Sequence, residues 1–433
     1  MKREIYTKLL EWQSRRDHKP LVIDGARQVG KTYILKEFGE KAYKNYVYVN
    51  LDKDDVAKTI FEADHDIKRI IRTLSAHTGI DIVPGNTLVV IDEIQESSAA
   101  LGSLKYFNED APEYDVAVAG SLIGVSLHKD QSFPVGMVEI LKMFPLSFFE
   151  FLDATGNENL KQVLKNCEWD VVNSLLPQFI DLLRQYYYVG GMPEAVAAYV
   201  GQKGLGAVRK IQNDILRGYR RDFSKHAPKK EVARIGMIWD SLPAHLAKEN
   251  KKFMYGAIRK GARAKDFEIA IEWLKMAGLV YKIHRVSKIE YPLKFYEDLD
   301  VFKLFPIDVG LLGAMADVPA SQILVGDNIF KEFKGAFTEC YLNEQLSGMM
   351  VPTFYFSPND TEVEIDFAVQ TEKRVIPMEV KAEENVKSKS LKTFIAENPQ
   401  LKGLRVSMKG YIDQGWMENL PLFAIEGYMF AYA

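Results

Sequence analysis

The chain has 433 residues, 47% of them hydrophobic and 27% charged, with a formal net charge of −3. That length exceeds one ordinary core and predicts roughly two to four domains, while the composition excludes long disorder and the chain-wide charge singles out no partner. The distribution of charge says more: Leu205 to Lys265 holds 16 Lys or Arg against 5 Asp or Glu, a local +11 that leaves about −14 on the rest and marks a candidate polyanion-facing surface for DNA. Cys167 and Cys340 are too few and too isolated for a disulfide framework or a zinc site, so buried thiols in a reducing compartment are expected. The N-terminal MKREIYTKLLEWQSRRD lacks the apolar core of a signal peptide, and no apolar run approaches the ~20 residues that span a bilayer. A cytoplasmic location without a membrane partner is therefore expected.

Residues 2–14 place Ile5, Leu9, Leu10 and Trp12 at helical spacing. The apolar run that starts at Leu21 ends in Gly25-Ala26-Arg27-Gln28-Val29-Gly30-Lys31-Thr32, which fits G-x-x-x-x-G-K-S/T, the phosphate-binding loop between a buried strand and a helix. Gly25 and Gly30 let the backbone N–H groups turn toward phosphate oxygens, and the following helix offers its positive end to the same anion. Lys31 would reach the β- and γ-phosphates of ATP, and Thr32 would place its hydroxyl on Mg²⁺. Tyr46–Leu51 reads as a second strand, residues 53–79 as helical, and Pro84-Gly85-Asn86 as a turn.

The next strand, Leu88-Val89-Val90-Ile91, ends in Asp92 and Glu93. Four consecutive apolar residues suit a strand buried on both faces of a parallel sheet, and the paired acids lie at the edge where such sheets bind ligands. Asp92 is the candidate Mg²⁺ ligand, and Glu93 the group that polarises the attacking water. The doubled acid favours hydrolysis over a small-molecule kinase. Asp115–Gly120 is a further strand, and Ser121 after it reads either as a γ-phosphate sensor or as a helix cap. Val138–Met143 completes the expected sheet.

The segments GARQVGKT, LVVIDEIQE, VAVAGSLIGV, FPVGMVEILKMFPLSFFEFL and YYYVGGMPEAV together resemble the prokaryotic AAA-like P-loop ATPases that carry a C-terminal restriction-endonuclease-like domain of unknown function. The resemblance covers essentially the whole chain. It implies an ATPase core at 1–155, a helical lid at 156–230, a winged-helix-like domain at 231–290, and a linker with the restriction-endonuclease-like α/β domain at 291–433. Many members place an arginine after the glycine that precedes the last strand, where this chain has Met137 after Gly136. Related ATPases often complete their sites between subunits, so a homo-oligomer is among the implied partners.

Residues 145–230 look mostly helical, and Pro193 after Gly190-Gly191-Met192 turns into a new helix. Arg217, Arg220 and Arg221 suit a solvated or DNA-facing helix surface better than a finger toward a phosphate. From Glu231 to Lys288, a helix around Ile235–Leu242, a later one over Lys265–Gly278 and the strand-like Leu279–Arg285 suggest a winged helix. Its second helix would enter a DNA major groove, or the unit would serve as a connector or protein-docking module. Asp308 lies in a segment expected to pack.

The last domain opens with a helix over Phe330–Leu346 carrying Glu339. Then Glu362–Val369 and Val375–Lys381 read as a hairpin, with alternation placing Glu364 and Asp366 on one face and Glu379 with Lys381 on the neighbouring strand. The pattern resembles the restriction-endonuclease-like signature of Asp, then Glu-x-Lys. By that resemblance Asp366, Glu379 and Glu339 would hold a divalent metal, and Lys381 would orient water or stabilise the phosphate undergoing cleavage. An amphipathic hairpin with its charges outside has the same spacing. Two functions follow: an Mg²⁺-dependent ATPase coupled to a nuclease-like domain, or a nucleotide-switched DNA- or protein-binding regulator whose C-terminal domain is a non-catalytic scaffold.

Overall fold

The computed structural model describes residues 1–121, 134, 136–248, 251–325, 331–358, 363–382 and 388–432. Leu122–Val125 of the VAVAGSLIGV segment and Glu362 of the expected hairpin lie outside the described residues. The chain divides into two units, Met1–Phe144 with Met276–Gly278, and Pro145–Lys275 with Leu279–Ala433.

The first unit runs α1 (Ile5–Ser14), β1 (Leu21–Asp24), α2 (Lys31–Ala42), β2 (Asn45–Asn50), α3 (Asp55–Glu62), α4 (Ile67–Thr78), β3 (Thr87–Asp92), α5 (Ser98–Asp110), β4 (Asp115–Gly120) and β5 (Glu139–Lys142). Its strands form one sheet in the order β2-β3-β4-β1-β5, with every pair parallel. Val22, Val47, Val49, Val89, Ile91, Val116 and Val118 pack with Phe61, Ile70, Leu74, Leu104 and Phe107 of the α3–α5 helices. Strand alternation sends Leu21, Ile23, Leu88, Val90 and Ala117 to the other face, where they are equally buried. This explains the unbroken apolar runs in the sequence, because a parallel sheet covered on both sides leaves no polar face. The expected helical stretch 53–79 is two helices. Asp66 accepts from Lys68 N and Arg69 N and so starts α4 afresh after the bend at 63–66.

The second unit begins with helices α6 (Phe148–Ala154), α7 (Glu158–Lys165), α8 (Trp169–Ser174), α9 (Leu176–Val189), α10 (Pro193–Val200), α11 (Leu205–His226), α12 (Val232–Leu246), α13 (Tyr255–Ile258) and α14 (Ala264–Met276). It continues with β6 (Val280–Val286), β7 (Glu297–Pro306), α15 (Val309–Met315), α16 (Ala320–Val325), α17 (Lys331–Gly348), β8 (Thr353–Phe356), β9 (Ile365–Gln370), β10 (Val375–Lys381), α18 (Lys389–Glu397), β11 (Gly403–Ser407), β12 (Ile412–Asp413), β13 (Met417–Pro421) and α19 (Ile425–Tyr432). One mixed eight-stranded sheet, ordered β12-β13-β11-β10-β9-β8-β6-β7, collects all of these strands. The expected boundary at 290/291 therefore falls inside a sheet: β6 pairs antiparallel with β7 and parallel with β8. Strand pairing thus joins the strand after the helix pair to β7 and β8.

A buried polar hub ties this unit together. Tyr186 OH lies 2.5 Å from Leu146 O and 2.7 Å from Glu344 Oε1, its one proton going to one of them, and Glu344 Oε2 accepts from Val309 N (3.0 Å). Asp308 accepts from Gly191 N (2.6 Å) and Leu311 N (2.7 Å), while Gln345 and Glu426 accept from Phe148 N and Phe149 N. The Gly190-Gly191 pair is needed for this approach. A Cβ at Gly191 would lie 2.1 Å from Leu146 O, and one at Gly190 2.3 Å from Asp308 Oδ1. Burial pushes the Asp308 carboxyl up to about 6 against the pull of its backbone donors. Burial, with Asp308 nearby, raises Glu344 well above the usual carboxylate range.

Candidate functional site

The phosphate loop joins β1 to α2 at the end of a strand whose apolar residues, Leu21, Val22 and Ile23, are buried. Gly25 (φ +158°), Gln28 (φ +68°) and Gly30 (φ +100°) bend the backbone in conformations that L side chains rarely adopt. Gly25 also has no room for a side chain, since a Cβ there would lie 2.2 Å from Met143 O. Ala26 and Val29 are buried under the loop, Arg27 is partly exposed and Gln28 is exposed. Lys31, the first residue of α2, is 7% exposed, and its Nζ donates to Gly25 O (2.8 Å) and Ala26 O (2.7 Å). Burial lowers the ammonium to about 8, against the raising effect of Glu93, Asp24 and Asp92.

The acids arrive from the parallel sheet. Thr32 Oγ1 and Tyr48 OH each donate to Asp92 Oδ2 at 2.8 Å, so one carboxylate oxygen joins the loop, β2 and β3. Glu93 follows at φ +52°, with its N–H donating to Asp92 Oδ1 (3.0 Å) and its Oε2 accepting from Gln95 Nε2 (2.6 Å). Ser121 is buried at the end of β4, the strand hydrogen-bonded to both β1 and β3. Tyr48 and Gln95 escaped the sequence reading. The available signal for Tyr48 was its place in the alternating strand Tyr46–Asn50.

The chemistry of this donor set fits a nucleotide with Mg²⁺. A helix N-terminus with a left-handed glycine before it faces the loop, a buried lysine lies beside it, and a hydroxyl shares a carboxylate oxygen. Of the three arginines considered as fingers, Arg217 pairs with Asp214 and Arg220 with Asp240. Met137 Sδ meets Asn108 Nδ2 at 3.5 Å.

The acids of the last domain lie among buried and half-buried lysines. Glu339 on α17 forms ion pairs with Lys251 and, at 3.7 Å, with Lys303. Lys303, in β7, has a side chain only 1% exposed; it also lies 3.2 Å from Glu364 and 4.8 Å over the Tyr355 ring. Burial lowers this ammonium's pKa, but Glu339, Glu364 and Asp366 outweigh that and raise it above the ordinary value. Asp366 Oδ2 accepts from Val380 N (2.7 Å); burial, then Glu339, push this carboxyl up to about 7. Lys381 Nζ meets Glu379 Oε1 at 2.8 Å, while Glu379 Oε2 has no hydrogen-bond partner among the described residues. Among the described residues, no three His, Cys, Asp or Glu side chains form a group arranged to hold a metal ion. Glu339 and Asp366 instead have lysine and backbone partners here, Lys251 and Lys303 for Glu339 and Val380 N for Asp366. The positive charge beside Glu339 comes from Lys303 and Lys251. A lone lysine within the apolar run Val301–Ile307 was the signal for Lys303.

The parallel sheet and the phosphate loop define a P-loop nucleotide-binding fold. Residues 17–152 match the family described as AAA domain. Residues 180–322 and 334–425 match two domains of unknown function, DUF8612 and DUF4143. Among solved structures, the chain is similar to the Walker-type ATPase PABY2304 of Pyrococcus abyssi, at 14% identity and a TM-score of 0.45, over 72% of this chain and 95% of that one. It is also similar to CDC6P from Pyrobaculum aerophilum, at 12% identity and a TM-score of 0.26, over 73% of this chain and 91% of that one. No curated protein matches the chain. No helix among the described residues is long and apolar enough to cross a membrane.

Proposed function

We propose that the chain hydrolyses ATP with Mg²⁺ at the phosphate loop and uses the nucleotide state to switch what its second unit engages. The observation that carries this reading is the junction of Thr32, Tyr48 and Asp92 beside the buried Lys31. Thr32 and Asp92 would hold Mg²⁺, which when bound neutralises charge on the β- and γ-phosphates. Lys31 would exchange its two loop carbonyls for phosphate oxygens, and the backbone N–H groups of the loop would bind the rest of the anion. Glu93 would orient the attacking water, with Gln95 setting the position of its carboxylate. Lys31→Ala is expected to abolish Mg²⁺-dependent turnover, and retained turnover would overturn the reading. Glu93→Gln is expected to keep nucleotide binding while lowering kcat by about 10²–10⁴.

For residues 331–432 we favour the scaffold reading over the nuclease-like one. Its support is Lys303: a permanent ammonium beside Glu339 and Glu364 supplies the charge that a divalent ion would otherwise bring. The test is cleavage of circular and single-stranded DNA with Mg²⁺ or Mn²⁺ by the native chain and by Asp366→Ala. Equal results support the scaffold, whereas cutting that needs Asp366 restores the nuclease-like reading.

A further inference from the structure

The densest run of positive charge is concentrated on one short surface of the second unit. From Lys251 to Lys265 the sequence KKFMYGAIRKGARAK holds six Lys or Arg and no acid. Four of these, Arg259, Lys260, Arg263 and Lys265, are exposed, and among the described residues none of the four has an ion-pair partner. Asp266, the first acid after the run, is occupied in accepting from Arg263 N at 3.1 Å, which shapes the start of α14. Four cations within seven residues repel one another, a cost that an external polyanion removes.

The surface is presented from a built base. Phe253 stacks on His245 (4.6 Å between centroids) and on Phe302 (5.4 Å), and its N–H donates to Phe302 O at 2.8 Å. Beyond this anchor, Ala262 N donates to Arg259 O (3.0 Å) and Gly261 takes φ +79°, so Arg259, Lys260 and Arg263 surround one tight turn. The helix that follows argues against insertion into a groove. Its exposed positions include Glu268, and Glu272 pairs with Lys275 (2.7 Å) and Lys282 (3.5 Å). Carboxylates on that face would meet phosphates on both sides of a major groove. This favours the turn and the first residues of the helix as the contact.

We propose that Arg259, Lys260, Arg263 and Lys265 bind the phosphate backbone of duplex DNA without regard to its sequence. Guanidinium forks match phosphate oxygens, and contacts of this kind position a duplex without specifying bases. The proposal names the partner of the switched unit; it rests on the ATPase reading only for any effect of nucleotide, so binding is tested first without ATP.

The experiment is fluorescence anisotropy of the full chain with a labelled duplex of scrambled sequence, titrated in KCl, comparing the native chain with the variant R259A/K260A/R263A/K265A. Four phosphate contacts predict that the slope of log K against log salt falls in magnitude by about 3.6, and by about 0.9 for R263A alone. Two duplexes of unrelated sequence are expected to bind equally. An unchanged slope in the fourfold variant, or no binding by the native chain, overturns the proposal. So does poly-glutamate competing as well as unlabelled duplex, which would assign the surface to an acidic polypeptide. ATP turnover measured on the same preparations separates the two readings. Weakened DNA binding with a reduced salt slope and native turnover supports the surface, whereas absent turnover with intact DNA binding overturns only the ATPase reading.

Discussion

Replacing Lys303 with methionine isolates the group on which the scaffold reading rests. The substitution keeps the length of the side chain and most of its packing but deletes an ammonium that is 1% exposed and flanked by Glu339 at 3.7 Å and Glu364 at 3.2 Å. Removing one partner of a buried ion pair costs about 3–5 kcal/mol, because the remaining charge is left without compensation. Here Lys251 still pairs with Glu339, and Glu364 is partly exposed, so the expected loss is about 2–4 kcal/mol. The assay is urea unfolding of the full chain at pH 7, followed by hydrogen exchange in peptides from β7, β9 and α17. Pairing Lys303→Met with Glu339→Gln removes the stranded charge and is expected to recover at least half of the loss. A single variant that costs less than about 1 kcal/mol, or a double variant no better than the single, would refute the reasoning. Mn²⁺ added to the native chain is expected to leave protection of β9 and β10 unchanged.

Burial holds Lys31 at about 8 in the free protein, and bound phosphates favour its charged form, so nucleotide binding near pH 8 should take up about half a proton at this site. Calorimetry of ATP binding in two buffers of different ionisation enthalpy measures that uptake; a null value, or one unchanged in Lys31→Arg, counts against it. Gly191→Ala would drive a Cβ to 2.1 Å from Leu146 O, a backbone atom that cannot swing aside, and should cost at least about 3 kcal/mol. Gly236→Ala, in α12 with nothing within 4 Å, is expected instead to add about 0.5–1 kcal/mol, and equal effects would contradict the close-approach argument. Asp308 has a folded pKa of about 6, raised from 3.8, so its protonated form favours folding below the unfolded value and that contribution is lost as pH rises through 6. The stability difference between the native chain and Asp308→Asn should therefore fall by about 2–3 kcal/mol between pH 4 and pH 6.5, and a flat difference would reject the burial account.

The sequence by itself determined what depends on contiguous residues. The run from Leu21 to Thr32 contains its own strand, its two flexible glycines and its helix start, so backbone sterics and hydrophobic period were enough to place a phosphate loop there. The same holds for Leu88–Asp92, whose unbroken apolar character requires burial on both faces. Tertiary structure decided which distant groups meet. The alternation in Val363–Phe367 allowed a metal site or a solvated face equally; the eight-stranded order, which sets β7 and β9 on opposite sides of the β6-β8 pair, accompanies a third outcome in which Lys303 joins Glu339 and Glu364. Likewise, nothing local in Ile307-Asp308-Val309 points to Gly191, which lies 117 residues away in the chain and donates its N–H to that carboxylate. The physical reason is common to both cases. A side chain's partner across a sheet or between helices is set by strand register and helix packing, which arise from the fold as a whole, whereas turns, caps and periodicity arise within a few residues of one another.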